Sequence, residues 1–145
     1  MTVYLVRHGR AEAAGPGGDA ARALTPGGRA AFEALAQAIA AEARVARIRT
    51  SPCRRAAETA ALLSAATGAA AEADDALSPG ASSGRALLEL ADRLGPGTAL
   101  VGHNPEVAAA LAVAARREVE VPPGAIAAVE RDGTIWNLAW IRRPD

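Results

Sequence analysis

Short apolar runs alternate with segments of helical period along almost the whole chain, and this alternation limits the fold more than any other feature. Residues 2–7, with Val3-Tyr4-Leu5-Val6 inside them, and 46–50, 70–74 and 98–102 read as strands. Helical spacing marks 26–43, where Phe32, Leu35 and Ile39 fall at i, i+3 and i+7, and also 52–66, 83–94 and 105–116. Two more strands, 125–130 and 134–141, flank Arg131-Asp132-Gly133, a hairpin signal. Strands alternating with helices predict a largely parallel sheet covered on both faces, and the closing hairpin makes it mixed. The expected fold class is α/β: three layers, α/β/α, around a mostly parallel mixed sheet of about six strands. The chain shows no repeat and no linker, and the Gly/Ala-rich stretch 13–18 is too short to divide it. One domain is therefore expected over residues 1–145.

Composition removes several classes of function. The formal net charge is zero and no basic stripe is present, which argues against nucleic-acid binding. All 16 basic residues are arginine, so arginine abundance alone says little about phosphate. Half the chain is hydrophobic but only 3% is aromatic, so the core must come from Ala, Leu, Val and Ile. The single cysteine, Cys53, rules out an intrachain disulfide and is expected to pack in the first turn of helix 52–66. No apolar run reaches about 18 residues, so no membrane span is expected. No signal peptide is read before the first strand, and a cytoplasmic monomer is the expectation. Trp136 and Trp140 lie four apart in the last strand and should face one side. Arg142-Arg143 reads as a solvated tail.

The strand ends carry the chemistry. Arg7-His8-Gly9 follows the first apolar run, and Gly102-His103-Asn104-Pro105 closes the run Ala99-Leu100-Val101. These are the only two histidines, and in α/β proteins ligands bind at the carboxyl ends of strands. Thr25-Pro26, Ser51-Pro52 and Asn104-Pro105 each pair an N-cap residue with proline at the first helical position. Helix N-termini favour anions. The helix opening at Ser51-Pro52 nevertheless carries Arg54 and Arg55 in its first turn, a poor place for cations unless an anion binds nearby. Arg54 precedes Glu58 by four and should pair with it toward solvent. Arg55 shares a face with Thr59 and Leu63 and should point inward. Taken alone, a structural salt bridge explains Arg55 as well as a functional role does.

If the strands ending near 7, 50 and 102 are parallel neighbours, Arg7, His8, Arg55 and His103 converge at one sheet edge. Two guanidinium forks suit a tetrahedral phosphoryl dianion, and Gly9 and Gly102 would let the backbone approach closely. One imidazole could act as a nucleophile, and the other, if protonated, would add charge for the transition state.

Four motifs in order resemble the histidine phosphatase (phosphoglycerate-mutase-like) superfamily, and in spacing its small SixA-like phosphohistidine phosphatases. They are Arg7-His8-Gly9, Leu24-Thr25-Pro26-Gly27-Gly28, the run Ser51 to Ala60, and Gly102-His103-Asn104-Pro105. The resemblance implies that His8 is the nucleophile, phosphorylated in turnover, and that Arg7 and Arg55 hold the phosphoryl oxygens. It implies that His103 stabilises the transferring group, with Gly9 and Asn104 completing the substrate-binding set. It also implies no metal and no cofactor. Asp19, Arg22 and Thr25 match a recurrent Asp-x-x-Arg-x-Leu-Thr stretch, read as a brace of the loop, with a lesser prospect that Asp19 reaches the pocket.

The segment Ala76–Gly84 lacks the carboxylate acid that larger relatives carry there. Glu106 is expected to serve the helix dipole. A shallow, open pocket would admit a phosphorylated side chain of another protein, and the lack of an acid favours a good leaving group; phosphohistidine meets both conditions. Two alternatives stand beside this. A general phosphomonoesterase would draw an acid from Glu12, Asp19 or Glu106. A phosphate- or phosphopeptide-binding module would bind without turnover. Metal binding by His8, His103 and Cys53 lacks any short ligand spacing.

Overall fold

The computed structural model describes residues 1–145. In chain order the elements are β1 (Thr2–Arg7), α1 (Pro26–Ala40), β2 (Arg47–Thr50), α2 (Arg54–Thr67), β3 (Ala71–Ala73), α3 (Gly84–Leu94), β4 (Thr98–Gly102), α4 (Glu106–Ala115), β5 (Ile126–Asp132) and β6 (Ile135–Arg142). Short 3-10 turns cover Asp19–Ala21 and Asp75–Leu77. All six strands form one sheet in the order β3-β2-β4-β1-β5-β6. The first four are parallel, and β5 and β6 run antiparallel, giving the mixed α/β/α sandwich the alternation predicts.

The central strand β1 explains why its sequence is a continuous apolar run. Val3 and Leu5 face α3 and α4, whereas Tyr4 and Val6 face α1 and α2. Both faces are covered, so no position is left for a polar residue. Each fully buried Val or Leu of this strand contributes about 1.5–3 kcal/mol. β3 lies at the sheet edge with all three residues exposed. No helix is long and apolar enough to cross a membrane.

Several expectations need correction. The first helix stops at Ala40 rather than 43, because the chain reverses there and Ala46 N–H reaches the Gly97 carbonyl to enter β2. α2 starts at Arg54, with Cys53 and not Ser51 at the N-cap position. α4 starts at Glu106, one residue late. Trp136 and Trp140 do not face the same side. A bulge opposite Ala128/Val129 pairs Ala128 with Trp140 and Val129 with Leu138, leaving Ala139 as an extra residue. One added residue reverses the alternation, so Trp136 packs with the α3/α4 core and Trp140 with the α1/α2 core. Arg142 is no solvated tail: it belongs to β6, lies over the Trp140 ring and pairs with Glu42.

Candidate active site

The register of the sheet builds the site. Arg7 is level with Gly102, and Val101 with Thr50. Beyond these pairs the next residues stay in step: His8 N–H donates to Gly102 O, and Ser51 N–H donates to Val101 O. His8, His103 and Ser51 therefore emerge side by side from three adjacent parallel strands. The two imidazole rings lie 5.1 Å apart between centroids.

His8 has a defined tautomer. Its Nδ1 lies 2.7 Å from the Gly9 carbonyl oxygen. A carbonyl can only accept, so Nδ1 carries the proton and Nε2 keeps its lone pair. That lone pair faces the Arg55 Nε–H at 3.4 Å. Burial, then the neighbouring His103, Arg55 and Arg7, pull the His8 pKa down to about 4, against a partial lift from the Gly9 carbonyl. The ring is neutral at pH 7, the state a nucleophile needs.

Arg55 enters from the first turn of α2 and is buried between the histidines. Its NH2 also approaches His103 Nδ1 at 3.4 Å. The guanidinium can only donate, so in the neutral ring Nδ1 accepts and Nε2–H donates to Ser51 Oγ, 2.8 Å away. Burial, then Arg55, holds the His103 pKa down at about 4. Ser51 Oγ also accepts from Cys53 N–H. That hydroxyl is spent on orienting His103, which is why it does not cap α2.

Arg7 donates through NH1 to the Val121 carbonyl at 3.0 Å. Its Nε is buried without a partner. Burial lowers its pKa from the ordinary arginine value. Asn104 sits beside the site, but its amide is engaged elsewhere: Nδ2 donates to Val121 O, and Oδ1 accepts from Ala108 N–H. Both residues thus hang on one carbonyl far along the chain.

Thr59 ties the loop after His8 to Arg55. Its hydroxyl accepts from Gly9 N–H at 3.0 Å and donates to Arg55 O at 2.7 Å. The Leu-Thr-x-x-Gly stretch fixes the same loop from the other side. Thr25 caps α1 by accepting from Gly28 N–H, and Thr25 N–H donates to Arg10 O. A Cβ at Gly28 would lie 2.4 Å from Arg10 O, so the close approach requires glycine there. A Cβ at Gly102 would meet nothing nearer than 3.5 Å, so no neighbouring protein atom requires glycine there.

The carboxylates divide. Asp19 reaches the pocket, its Oδ2 accepting from Arg55 NH2 at 3.1 Å, and the hydrogen bonds from Arg22 and then Arg55 hold it below the usual carboxylate range. Glu58 pairs with Arg54 as expected, and also with Arg29, and accepts from Leu24 N–H. Glu106 accepts from Gly80 N–H through Oε1, while Oε2 is buried without a partner. Glu12 stands exposed in the loop. No three His, Cys, Asp or Glu side chains gather as a metal ligand set.

The sequence does not single out Ser51, Thr59 and Val121 as site-building residues, although the first two lie inside the run Ser51 to Ala60, the available signal. Nothing in the sequence marks Val121.

Comparison with known proteins finds a matching family model and solved structures of the same fold. The family model of the histidine phosphatase superfamily (branch 1) matches residues 3–93. No curated protein matches the sequence. Among solved structures, the protein histidine phosphatase SixA complexed with tungstate aligns with a TM-score of 0.84 at 23% identity, covering 97% of this chain and 96% of the other. A candidate phosphohistidine phosphatase SixA from Agrobacterium tumefaciens gives 0.84 at 26% identity, covering 99% and 97%. A phosphoserine phosphatase from Entamoeba histolytica in complex with 3-phosphoglyceric acid gives 0.75 at 15% identity, covering 98% and 96%.

Proposed function

The chain belongs to the histidine phosphatase superfamily (branch 1), and from that membership we propose that it hydrolyses a phosphoryl group through a phosphohistidine formed on His8, with a phosphohistidine-bearing protein as substrate. The observation that supports this most is the tautomer of His8: Nδ1–H is bound to Gly9 O, and the Nε2 lone pair is turned to Arg55 Nε–H, with the His103 ring 5.1 Å away between centroids. Nε2 attacks phosphorus as the bond to the leaving group breaks. The leaving nitrogen keeps that electron pair and departs as a neutral imidazole, its other ring nitrogen protonated beforehand. Arg7 and Arg55 hold the phosphoryl oxygens, and His103 Nδ1 donates to them once the dianion has drawn a proton onto that ring. Water then attacks phospho-His8, the P–N bond breaks, and phosphate leaves with the imidazole restored. Residues 1–145 act as one catalytic domain, monomeric and cytoplasmic on this reading.

Substrate choice follows from the carboxylates. Asp19 is held ionised and serves badly as an acid. A substrate whose leaving group needs no enzymic proton is favoured, and phosphohistidine is one. Initial rates on a phosphohistidine peptide should exceed those on an alkyl monoester such as 3-phosphoglycerate by at least about tenfold in kcat/KM. Faster turnover of the alkyl monoester overturns the assignment.

One observation favours a second reading, a general phosphomonoesterase. Glu106 Oε2 is buried without a partner three residues after His103. If Glu106 protonates an alkoxide leaving group, Glu106→Gln would slow alkyl monoesters and spare phosphohistidine.

A further inference from the structure

Arg55 uses its two edges differently. The edge formed by NH1 and NH2 is turned to one residue, with NH1 donating to Asp19 O at 2.9 Å and NH2 to Asp19 Oδ2 at 3.1 Å. The edge formed by Nε and NH2 faces His8 Nε2 and His103 Nδ1, each at 3.4 Å. These last two contacts are long for hydrogen bonds, whereas the Asp19 contacts are not. The second edge is thus weakly engaged and lies where a phosphoryl group between the histidines would present its oxygens.

Asp19 is itself held in place. Its Oδ1 accepts from Arg22 NH1 at 3.0 Å, and Arg22 Nε donates to Glu12 O. The base of the loop is closed by Glu12 N–H donating to Ala23 O and by the bridge between Ala11 and Leu24. A chain of charge-assisted bonds runs from this loop through Arg22 and Asp19 to Arg55. Arg55 is buried, while 60% of the Asp19 side chain is exposed, so Asp19 grips the guanidinium from its solvent side.

We infer that Asp19 is the positioning residue of the phosphoryl pocket: by clamping the NH1/NH2 edge of Arg55 it turns the Nε/NH2 edge toward His8 and His103 for two phosphoryl oxygens. This rests on the phosphoryl-pocket reading above. A carboxylate beside an anion site is electrostatically costly for the anion, so its placement is explained by orientation and not by attraction. That opposition separates the two effects by sign. Removing the charge alone should tighten phosphate, and removing the clamp should loosen it.

The test measures inorganic phosphate binding by calorimetry to the full-length wild-type protein, Asp19→Ala and Asp19→Asn, with kcat/KM on one substrate alongside. Asp19→Ala should bind phosphate about tenfold more weakly, equivalent to about 1.4 kcal/mol, despite losing a negative charge. Its kcat/KM should fall by a similar factor or more. Asp19→Asn keeps an oxygen acceptor for Arg55 and should bind phosphate at least as tightly as wild type, with most of kcat/KM restored. Tighter phosphate binding by Asp19→Ala would overturn the inference and make Asp19 a competitor for Arg55. Equal weakening in both variants would overturn it as well. Phosphate binding does not depend on turnover, so a wild-type protein that binds phosphate without hydrolysing anything would fail the phosphatase reading while leaving this one measurable.

Discussion

At the scale of single residues, the free protein denies protons to two histidines. Both are buried beside arginine, and both have pKa values held near 4. Between about pH 6.5 and 4 the unfolded chain therefore binds protons that the folded chain refuses, and stability falls as the pH drops through that window. Each histidine contributes about 1.4 kcal/mol per pH unit in the middle of it. Urea unfolding of the free protein at pH 7, 6 and 5 should show this, and His103→Asn should have a visibly shallower dependence. An unchanged slope in that variant would mean His103 is not held neutral. The residue types at this site were legible in the sequence, since Arg7 ends a strand, His8 and His103 follow strands, and Arg55 lies in the first turn of a helix. Their protonation was not. It depends on the Gly9 carbonyl and on Ser51 Oγ, whose directions exist only in the folded backbone.

Among the elements, the parallel register of β1, β4 and β2 gathers the chemistry, and α1 and α2 lock it. The decisive contact between elements is Thr59, which joins the Gly9 amide to the α2 backbone. Thr59→Val removes the acceptor and leaves Gly9 N–H buried without a partner, at a cost of about 1–3 kcal/mol. It should also lower kcat by roughly tenfold or more as His8 loses its fixed position. Thr59→Ser, which keeps the hydroxyl, should recover most of both losses in urea unfolding and steady-state rates. Equal losses in the two variants would show that the methyl packing matters and the hydrogen bond does not. Element identity was readable from periodicity because most helices and strands bury a regular stripe. The exceptions have local causes. The β6 bulge inserts Ala139, a residue with no turn or bulge signature, and so reverses the expected facing of Trp136. Ser51 carries an N-cap signal that a tertiary partner, His103, overrides.

For the whole molecule, a chain of zero net charge concentrates the buried Arg55, the half-buried Arg7 and two neutral histidines at one end of its sheet. The Asp19 loop supplies the one carboxylate that touches Arg55. The ties that complete the site, from Val121 to Arg7 across 114 residues of sequence and to Asn104 across 17, leave no pattern in it. The central claim is that this assembly makes His8 a covalent phosphoryl carrier. The most direct measurement is to mix the protein with a slowly turned-over radiolabelled phosphate donor, quench in alkali and map the labelled peptide. The account predicts acid-labile, alkali-stable phosphate on the peptide containing His8, and none in His8→Ala, which should also be inactive. Turnover without label on His8, or activity surviving in His8→Ala, would contradict it.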